Sequence, residues 1–401
     1  MTARMAVDPA ALLADVAAFV RIASVTGAER PALEWLAARA RELGLDAVLH
    51  EHDLAALRSH PAHPGEEAPR DELVGVTVTL AGAGPRRLCL NGHVDVVGPG
   101  TVPWRHGSPW SGAVEDGRVY GRGAVDMKGA VVAALHALAA VAASGTPPAA
   151  EVVLQCVASE EDGGLGTVAA LEADARFDAA LIPEPTGFDV VCAQAGALTF
   201  RGEVRGRAAH AAERLHGRSA LDRYVALHAR FAEHERAINA AVTHPLMREL
   251  PLPYPLNVGR IEGGEWSSSV PDRVVFEGRL GVPVGTAPED AMRAFEAIVA
   301  DDEQPPVTIA WDGGHFAPGE TPADHPFVAV VADAVAAERG ARARVAGVPW
   351  GADMRHFTAR GIPCVMVGPS GIERAHAVDE WVDGGELATL ARVLVRVMQR
   401  F

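Results

Sequence analysis

Residues 86–97 read RRLCLNGHVDVV, a short apolar run that ends in a histidine and an aspartate. A run of this length, followed by a Gly-Pro turn, is typical of a strand buried inside a sheet. Two similar runs follow, EVVLQCV at 151–157 and AALI at 179–182. Because strands that are apolar along their whole length are covered on both faces, these runs predict the interior of an α/β sheet.

The segments around these strands carry helix signals. Asp8 followed by Pro9 is typical of a helix start, because proline suits the first helical position. Residues 127–145, MKGAVVAALHALAAVAASG, predict an alanine-rich helix, and further helices are expected at 325–339 and at the C-terminus. Strands that alternate with helices predict an α/β fold with a mostly parallel central sheet, covered on both faces.

The pattern changes near residue 195. From there to about 315 the predicted order is β-α-β-β-α-β, with helices in 219–240 and 288–303, which is the order of a ferredoxin-like unit. After residue 315 the α/β pattern returns. We therefore predict one discontinuous α/β domain, residues 1–194 and 316–401, with a smaller α+β domain at 195–315 inserted into it.

Charge and cysteine content exclude several classes of protein. The net charge is −16, from 36 basic and 52 acidic residues, which argues against nucleic acid as a main partner because phosphate binding needs clustered Lys and Arg. The four cysteines are far apart and lie in apolar runs, so we expect buried thiols rather than disulfides. The N-terminus lacks a signal-peptide pattern and no uncharged apolar run reaches 18 residues, so we expect no membrane contact and a cytoplasmic protein.

Residues able to bind metal follow each predicted strand of the first domain. In open α/β sheets such residues meet at the carboxyl ends of the strands. Histidine and carboxylate together suit two zinc ions, and cobalt or manganese would suit the same donors. Asp95 lies two residues after His93, on the same side of the strand, and is expected to orient its imidazole. The candidates are His93, Asp95, Asp126, Glu160, Glu161, Glu184 and His376.

Each of these candidates alone has a simpler explanation. An acidic pair such as Glu160-Glu161 is usually a solvated loop, and a lone loop histidine is usually a surface residue. Glu184, between two prolines, could merely precede a turn. The metal hypothesis depends on their common position at strand ends, on one face of the sheet.

The chain resembles the M20 family of co-catalytic zinc hydrolases, which includes acetylornithine deacetylase, succinyl-diaminopimelate desuccinylase, aminoacylase-1 and the glutamate carboxypeptidases. The matching motifs span residues 20 to 390 in family order. They are LNGHVDVV, YGRGAVDMKGA, ASEEDGG, PEPTG, GRAAHAAERLHGRSA, RIEGGEWSSSVPD, WGADMRHFTARGIPCVMVGPS and AHAVDEWV. The family fold is a zinc-peptidase domain with an inserted lid and dimerisation domain, which implies those roles for the two predicted domains.

The resemblance also implies a role for each metal-site candidate. His93 would bind one zinc ion and Asp95 would orient it, Asp126 would bridge the two ions, and Glu161, Glu184 and His376 would complete their ligands. Glu160 would be the general base. The chemistry requires that one glutamate of the pair stays off the metal, but the choice between Glu160 and Glu161 comes from the family.

Three further residues match family substrate contacts. His210 would stabilise the oxyanion, often in a neighbouring subunit's site across a lid-mediated homodimer, and Arg279 and Arg355 would hold the substrate carboxylate, which a guanidinium can grip with two hydrogen bonds. Many relatives carry an asparagine near the oxyanion where this chain has Ser268. That departure puts the substrate in doubt, but not the metal chemistry.

These observations predict a two-zinc amide hydrolase that removes an acyl group from an N-acyl amino acid or a similar small carboxylated amine. A dipeptidase or carboxypeptidase of the same family is the main alternative. A carbamoyl amidohydrolase usually replaces part of this carboxylate set with histidine, so SEEDGG and PEPTG disfavour it. A protein that binds small carboxylates without hydrolysis would have no use for Glu160 as a base.

Overall fold

The computed structural model describes residues 7–300 and 305–401. Residues 1–6, and residues 301–303 at the end of the helix predicted at 288–303, therefore lie outside the described residues. The α-helices are α1 (Pro9–Val20), α2 (Arg30–Glu42), α3 (Leu54–Arg58), α4 (Gly129–Ala143), α5 (Leu165–Ala173), α6 (Ala220–Ala240), α7 (Pro288–Val299), α8 (Pro326–Arg339), α9 (Met354–Thr358) and α10 (Gly384–Arg400).

The strands of the described residues form three sheets. They are β1 (Asp46–Glu51), β2 (Val74–Leu80), β3 (Arg87–His93), β4 (Ala113–Glu115), β5 (Arg118–Tyr120), β6 (Glu151–Val157), β7 (Ala179–Ile182), β8 (Val190–Gln194), β9 (Gly196–Arg205), β10 (Leu256–Gly263), β11 (Arg273–Val282), β12 (Thr308–Ala310), β13 (His315–Phe316), β14 (Gly319–Glu320), β15 (Val345–Val348), β16 (Cys364–Met366) and β17 (Trp381–Asp383).

The large sheet has the strand order β1-β2-β6-β3-β7-β16-β8-β14, with β15 paired to β8. Its centre is parallel, since β3 pairs in parallel with both β6 and β7, and β7 pairs in parallel with β16. Its flanks are antiparallel, at β1-β2, β2-β6, β16-β8 and β8-β14. The α/β class is confirmed, but the sheet is mixed rather than mostly parallel.

A short connection explains one of these reversals. Only residues 183–189 separate β7 from β8. A parallel crossover needs a dozen or more residues, so β8 must run back in the opposite direction.

One helix of small side chains packs into the core of the large domain. The alanine-rich helix α4 packs against α1 and α10, and most of its residues are buried. Residues Ala124–Ala143 are long and apolar enough to cross a bilayer, but 89% of the most apolar window is buried inside the fold, as in an ordinary core helix. Asp8 caps α1 by accepting hydrogen bonds from the amides of Ala10 and Ala11, as predicted.

The second sheet runs from Gly196 to Phe316 and is antiparallel throughout. Its order is β10-β11-β9-β12, with β13 also paired to β9. Together with α6 and α7 this is the β-α-β-β-α-β topology of a ferredoxin-like unit. The chain leaves the large sheet after Gln194 and returns at Gly319, and these two residues are paired with one another in β8 and β14.

Aromatic rings fill the core between the second sheet and its helices. Phe200 is fully buried, and its ring contacts those of Phe231, Phe276, Phe295 and Trp311. Such offset and edge-to-face ring pairs add to the free energy gained from burial. This cluster fixes how β9, β11 and the two helices pack, and β11 carries a predicted substrate-contact residue.

We therefore expect Phe200→Ala to lower the free energy of unfolding by about 3–5 kcal/mol, because the vacated ring leaves a cavity among four aromatic neighbours. Denaturant titration followed by circular dichroism would measure the loss. Leu252→Ala is the matched control, since Leu252 is 42% exposed and its truncation should change stability by less than about 0.5 kcal/mol. Equal effects of the two substitutions would contradict the assigned core.

Candidate metal centre

His93 ends β3 at the edge of the sheet where its two parallel neighbours also end. Its Nε2 lies 3.1 Å from Oδ1 of Asp126 and 3.8 Å from Oε1 of Glu184, the second residue after β7. The imidazole is buried, so it meets these carboxylates rather than solvent. Parallel pairing in the centre of the sheet therefore brings together residues that are far apart in sequence.

His376 approaches the same aspartate from the other side. Its Nε2 lies 3.6 Å from Oδ2 of Asp126 and 3.1 Å from Oε2 of Glu161. Each oxygen of the Asp126 carboxylate thus faces a different histidine. This is the arrangement expected of a carboxylate that bridges two metal ions, with His93 and Glu184 on one side and His376 and Glu161 on the other.

The donor set fits divalent metal ions. Asp126, Glu160, Glu161 and Glu184 all line one cavity of about 550 Å³, together with His376. Burial, with the nearby charge of Asp126, raises the pKa of Glu184 to about 8, and burial also raises the pKa of Glu160 well above its usual range. Crowded, buried carboxylates of this kind are stabilised by cations, and nitrogen and oxygen ligands suit zinc, cobalt or manganese.

Glu160 differs from the three carboxylates that approach the histidines. In the described ranges it forms no ion pair with His93 or His376, whereas Asp126, Glu161 and Glu184 each lie within 3.8 Å of one of them. It is buried beside the cluster, where His93 and Glu184 are close enough to affect its pKa. A carboxylate that lines the cavity apart from the two histidines can exchange a proton there, as the base predicted at this position must.

Asp95 is placed next to His93, but its carboxylate makes no hydrogen bond to the imidazole. The backbone carbonyl of Asp95 accepts the hydrogen bond from Nδ1 of His93, at 2.9 Å, while the carboxylate oxygen lies 3.6 Å away. The carboxylate instead accepts hydrogen bonds from the backbone amides of Glu160 and Glu161, each at 3.1 Å. β3 ends at His93, so the strand alternation used for the prediction no longer applies at Asp95.

Glu380, like Asp95, accepts hydrogen bonds from backbone amides, on the other side of the cluster. It was not predicted from the sequence. Its buried carboxylate accepts hydrogen bonds from the backbone amides of Gly123, Val125 and Asp126, at 2.9–3.2 Å. It also pairs with Nη1 of Arg122 at 2.8 Å. The only signal was its place in the AHAVDEWV motif, four residues after His376.

Arg122 joins the two loops that carry the second group of ligands. Its guanidinium donates to the backbone carbonyls of His376 and Ala377, each at 3.1 Å. The buried Arg122–Glu380 pair therefore holds the backbone at both Asp126 and His376. Such outer contacts set how precisely the ligands are presented to a metal ion.

The predicted substrate contacts divide into two groups. Arg279 on β11 lines the cavity, and Asn257, its cross-strand neighbour on β10, lines it too. Asn257 was not predicted. Ser268, which stands where many relatives carry an asparagine, does not line the cavity, and its backbone carbonyl accepts a hydrogen bond from the amide of Ala211 in the His210 loop.

Arg355 and His210 lie outside the cavity of their own chain. Arg355 is buried and donates to the backbone carbonyls of Ala352 and Gly163, and it is not among the residues that line the cavity, so its predicted contact with the substrate stays a prediction. His210 is exposed, and its Nδ1 accepts a hydrogen bond from the amide of Ala212. A direct role for His210 would therefore require the cavity of another chain.

The sequence profile of Peptidase family M20/M25/M40 matches residues 89–400, which include every metal-site candidate. The chain belongs to this family. It is 28% identical to a succinyl-diaminopimelate desuccinylase of Methylorubrum populi, covering 97% of this chain and 98% of the relative. It is 27% identical to an acetylornithine deacetylase of Photorhabdus laumondii subsp. laumondii, covering 84% and 86%.

Solved M20 structures share the fold. A tripeptidase from Staphylococcus aureus superposes with a TM-score of 0.74 at 19% identity, covering 98% of both chains. A dinuclear metal-binding peptidase of the M20 family from Bacillus subtilis superposes with a TM-score of 0.63 at 14% identity, covering 97% of this chain and 98% of the other. The predicted family and α/β fold are confirmed.

Family membership and the ligand cluster together settle the general class of chemistry. The protein is a hydrolase of amide bonds, as predicted, and a metal cofactor fits its site. The ligand atoms of His93, Asp126 and Glu161 lie within 4.8 Å of one another, as they must to share bound ions. The individual roles of the site residues stay predictions.

We expect Glu380→Gln to weaken metal binding by about 10–100-fold, because the loops around Asp126 and His376 lose the charged group that holds them. The buried Arg122 would also lose its counter-charge, which should lower the free energy of unfolding by about 3–5 kcal/mol. Competition with a zinc-selective chelator measures the first effect, and denaturant titration of the chelator-treated protein measures the second.

Glu373→Gln is the control for this substitution. Glu373 lies seven residues before Glu380, is exposed and pairs with the neighbouring Arg374. Glu373→Gln should change neither the zinc affinity nor the free energy of unfolding. Wild-type zinc affinity in the Glu380→Gln protein would contradict the positioning role of Glu380.

Proposed function

We propose that the protein removes the acyl group from an N-acyl amino acid or a similar small carboxylated amine, with two zinc ions in its site. The observation that carries this proposal is that Arg279 lines the same cavity as the metal ligands. A guanidinium in that place can bind a substrate carboxylate while the amide reaches the metal cluster. The desuccinylase and deacetylase names of the relatives support the same reaction class.

The proposed zinc ligands follow the two groups of side chains around Asp126. One ion would be held by His93, Glu184 and one oxygen of Asp126, and the other by His376, Glu161 and the second oxygen. When bound, the ions would polarise the amide carbonyl and acidify the attacking water. Cobalt or manganese would suit the same ligands.

The chain itself supplies the proton transfer and the positioning. Glu160 would take a proton from the attacking water on its carboxylate and deliver it to the nitrogen of the leaving amine. Arg279 would hold the substrate carboxylate, and the side-chain amide of Asn257 would donate a hydrogen bond to polar substrate atoms in the cavity. Asp95 and Glu380 would keep the backbone of the Glu160, Glu161 and Asp126 loops in place.

A homodimer through the second sheet is part of this proposal. Large apolar side chains are exposed on β10, α6 and the adjoining loops, where Leu221, Ile261 and Trp266 line one groove, and β10 is an edge strand. Patches of this kind favour association, and the same surface carries His210. In a symmetric dimer His210 of each subunit would reach its partner's cavity. The exposed apolar residues are Leu215, Leu221, Val225, Ile261 and Trp266.

Peptide hydrolysis is the alternative. A dipeptide presents the same amide bond, and its C-terminal carboxylate could bind Arg279 in the same cavity. The family description as a peptidase family favours keeping this reaction in the test.

A hydrolysis panel with the zinc-loaded protein should separate these activities. We expect N-acetyl, N-formyl or N-succinyl amino acids to be cleaved faster, by kcat/KM, than dipeptides. Glu160→Gln should keep its zinc and lose about 10²–10⁴-fold in kcat, because the site loses its base but none of the proposed ligands. Metal content by elemental analysis is measured on the same samples.

Glu172→Gln is the matched control, since Glu172 is exposed and pairs with Arg360 away from the cavity. Faster cleavage of dipeptides would favour the peptidase alternative. Full activity of Glu160→Gln, or activity that survives complete removal of the metal, would disprove the proposed mechanism.

Mixed dimers test the partner role of His210. His210→Ala and Glu160→Gln proteins should each be nearly inactive alone. After subunit exchange, about half of the dimers are mixed and each has one complete site, so about a quarter of wild-type activity should return. Mass-tagged subunits would verify the exchange, and no recovery after verified exchange would contradict a role for His210 across the interface.

A further inference from the structure

A second charged residue shares the cavity wall with Arg279. Glu67 belongs to the loop between α3 and β2 and lines the same cavity as the metal ligands. Its Oε1 accepts a hydrogen bond from the hydroxyl of Thr199 at 2.8 Å and from the amide of Gly314 at 3.1 Å. Nη2 of Arg279 donates to the same oxygen at 3.3 Å. The proposed carboxylate-binding guanidinium thus stands beside a fixed negative charge.

The backbone of Glu67 is held as firmly as its side chain. The amides of Glu67 and Ala68 donate to Oδ2 of Asp162, at 3.2 and 3.1 Å. Asp162 is bound in turn by the buried guanidinium of Arg70 at 2.9 Å. Asp162 directly follows Glu161, so Glu67 is fixed relative to the metal ligands rather than mobile on a surface loop.

The other oxygen of Glu67 remains available. Within residues 7–300 and 305–401, no hydrogen bond to Oε2 of Glu67 is formed, and Arg279 makes no ion pair other than the one with Glu67. An acceptor and a donor of opposite charge therefore lie side by side in the cavity wall. Neither is saturated by its partner, since only one oxygen and one nitrogen meet.

Two adjacent opposite charges in a cavity wall favour a ligand that carries the two complementary charges side by side. A lone carboxylate bound to Arg279 would lie close to Glu67 and be repelled by it, whereas a carboxylate with an adjacent ammonium meets both charges. The ammonium can donate to Oε2 of Glu67 while the carboxylate accepts from Arg279. Both interactions are charge-assisted hydrogen bonds, which are the stronger kind.

We propose that Glu67 is a specificity-determining residue that recognises an ammonium group next to the substrate carboxylate. The substrate would then present a free α-amino acid group to Glu67 and Arg279, and carry its acyl group on a second, more distant nitrogen. This inference rests on the proposed function for the role of the acyl amide, but the binding of the amino acid group can be measured separately.

Two pairs of compounds isolate the α-ammonium. L-lysine and 6-aminohexanoate differ only in that group, and so do Nε-acetyl-L-lysine and 6-acetamidohexanoate. Calorimetry of the zinc-loaded wild-type protein should show L-lysine binding about tenfold tighter than 6-aminohexanoate, as one charged hydrogen bond would give. The acetylated pair should show the same direction in kcat/KM.

The Glu67→Gln protein should bind both members of each pair about equally. The amide keeps an oxygen to accept from Thr199 and Gly314, so the substitution removes the charge with little change in shape. Glu72→Gln is the control, because Glu72 lies in the same loop, is exposed and pairs with Arg30 instead. It should keep the preference of the wild type, and thermal melting should show all three proteins folded.

The outcomes separate this inference from the proposed function. A preference for L-lysine that survives Glu67→Gln, equal affinity for the two compounds in the wild type, or no binding of either, would overturn the role of Glu67. Cleavage of N-acyl amino acids with no such preference would overturn this role and leave the proposed function standing. A preference lost in Glu67→Gln, in a protein that cleaves no amide of the panel, would support the role of Glu67 and overturn the proposed function.

Discussion

The backbone of the candidate metal centre is held by two buried carboxylates that accept hydrogen bonds from backbone amides. Asp95 holds the amides of Glu160 and Glu161, and Glu380 holds those of Gly123, Val125 and Asp126. A loop of acidic residues would otherwise move its charges apart, because like charges in a buried cavity repel one another. The amide hydrogen bonds oppose this by fixing the backbone, and they also compensate the burial of Asp95 and Glu380 themselves.

The sheet supplies the other half of this arrangement. The parallel centre places the ends of β3, β6 and β7 at one edge, so His93, Glu160 and Glu184 meet although about 90 residues of sequence separate the first from the last. The meeting of these residues at one edge of the sheet was predictable, because short apolar runs that end in polar residues indicate buried strands with a site at their ends. The antiparallel flanks were not predictable from the apolar runs alone, since such runs do not show the direction of a strand.

Ligand candidates were easier to predict than the residues that position them. His93, Asp126, Glu161, Glu184 and His376 were predicted because histidines and carboxylates that share one end of a sheet suit metal ions. Asp95 was placed correctly next to His93, yet its partners are amides 65 residues away in sequence, a contact that only the folded chain reveals. The same holds for Glu380 and Glu67, which in sequence are ordinary acidic residues in polar segments. Arg355 matched a motif, but its burial and its hydrogen bonds to the carbonyls of Ala352 and Gly163 could not be read from the sequence.

The chain leaves and re-enters the large sheet at two residues that are paired with each other, Gln194 and Gly319. All seven metal-site candidates lie outside the segment between them, whereas Asn257, Arg279 and His210 lie within it. The proposed reactive centre and most of the proposed substrate contacts therefore come from separate stretches of the chain. Glu67 is the exception, because it lies in the first stretch and binds groups in the second. A change of substrate that alters the inserted segment would thus have to remain compatible with this one residue outside it.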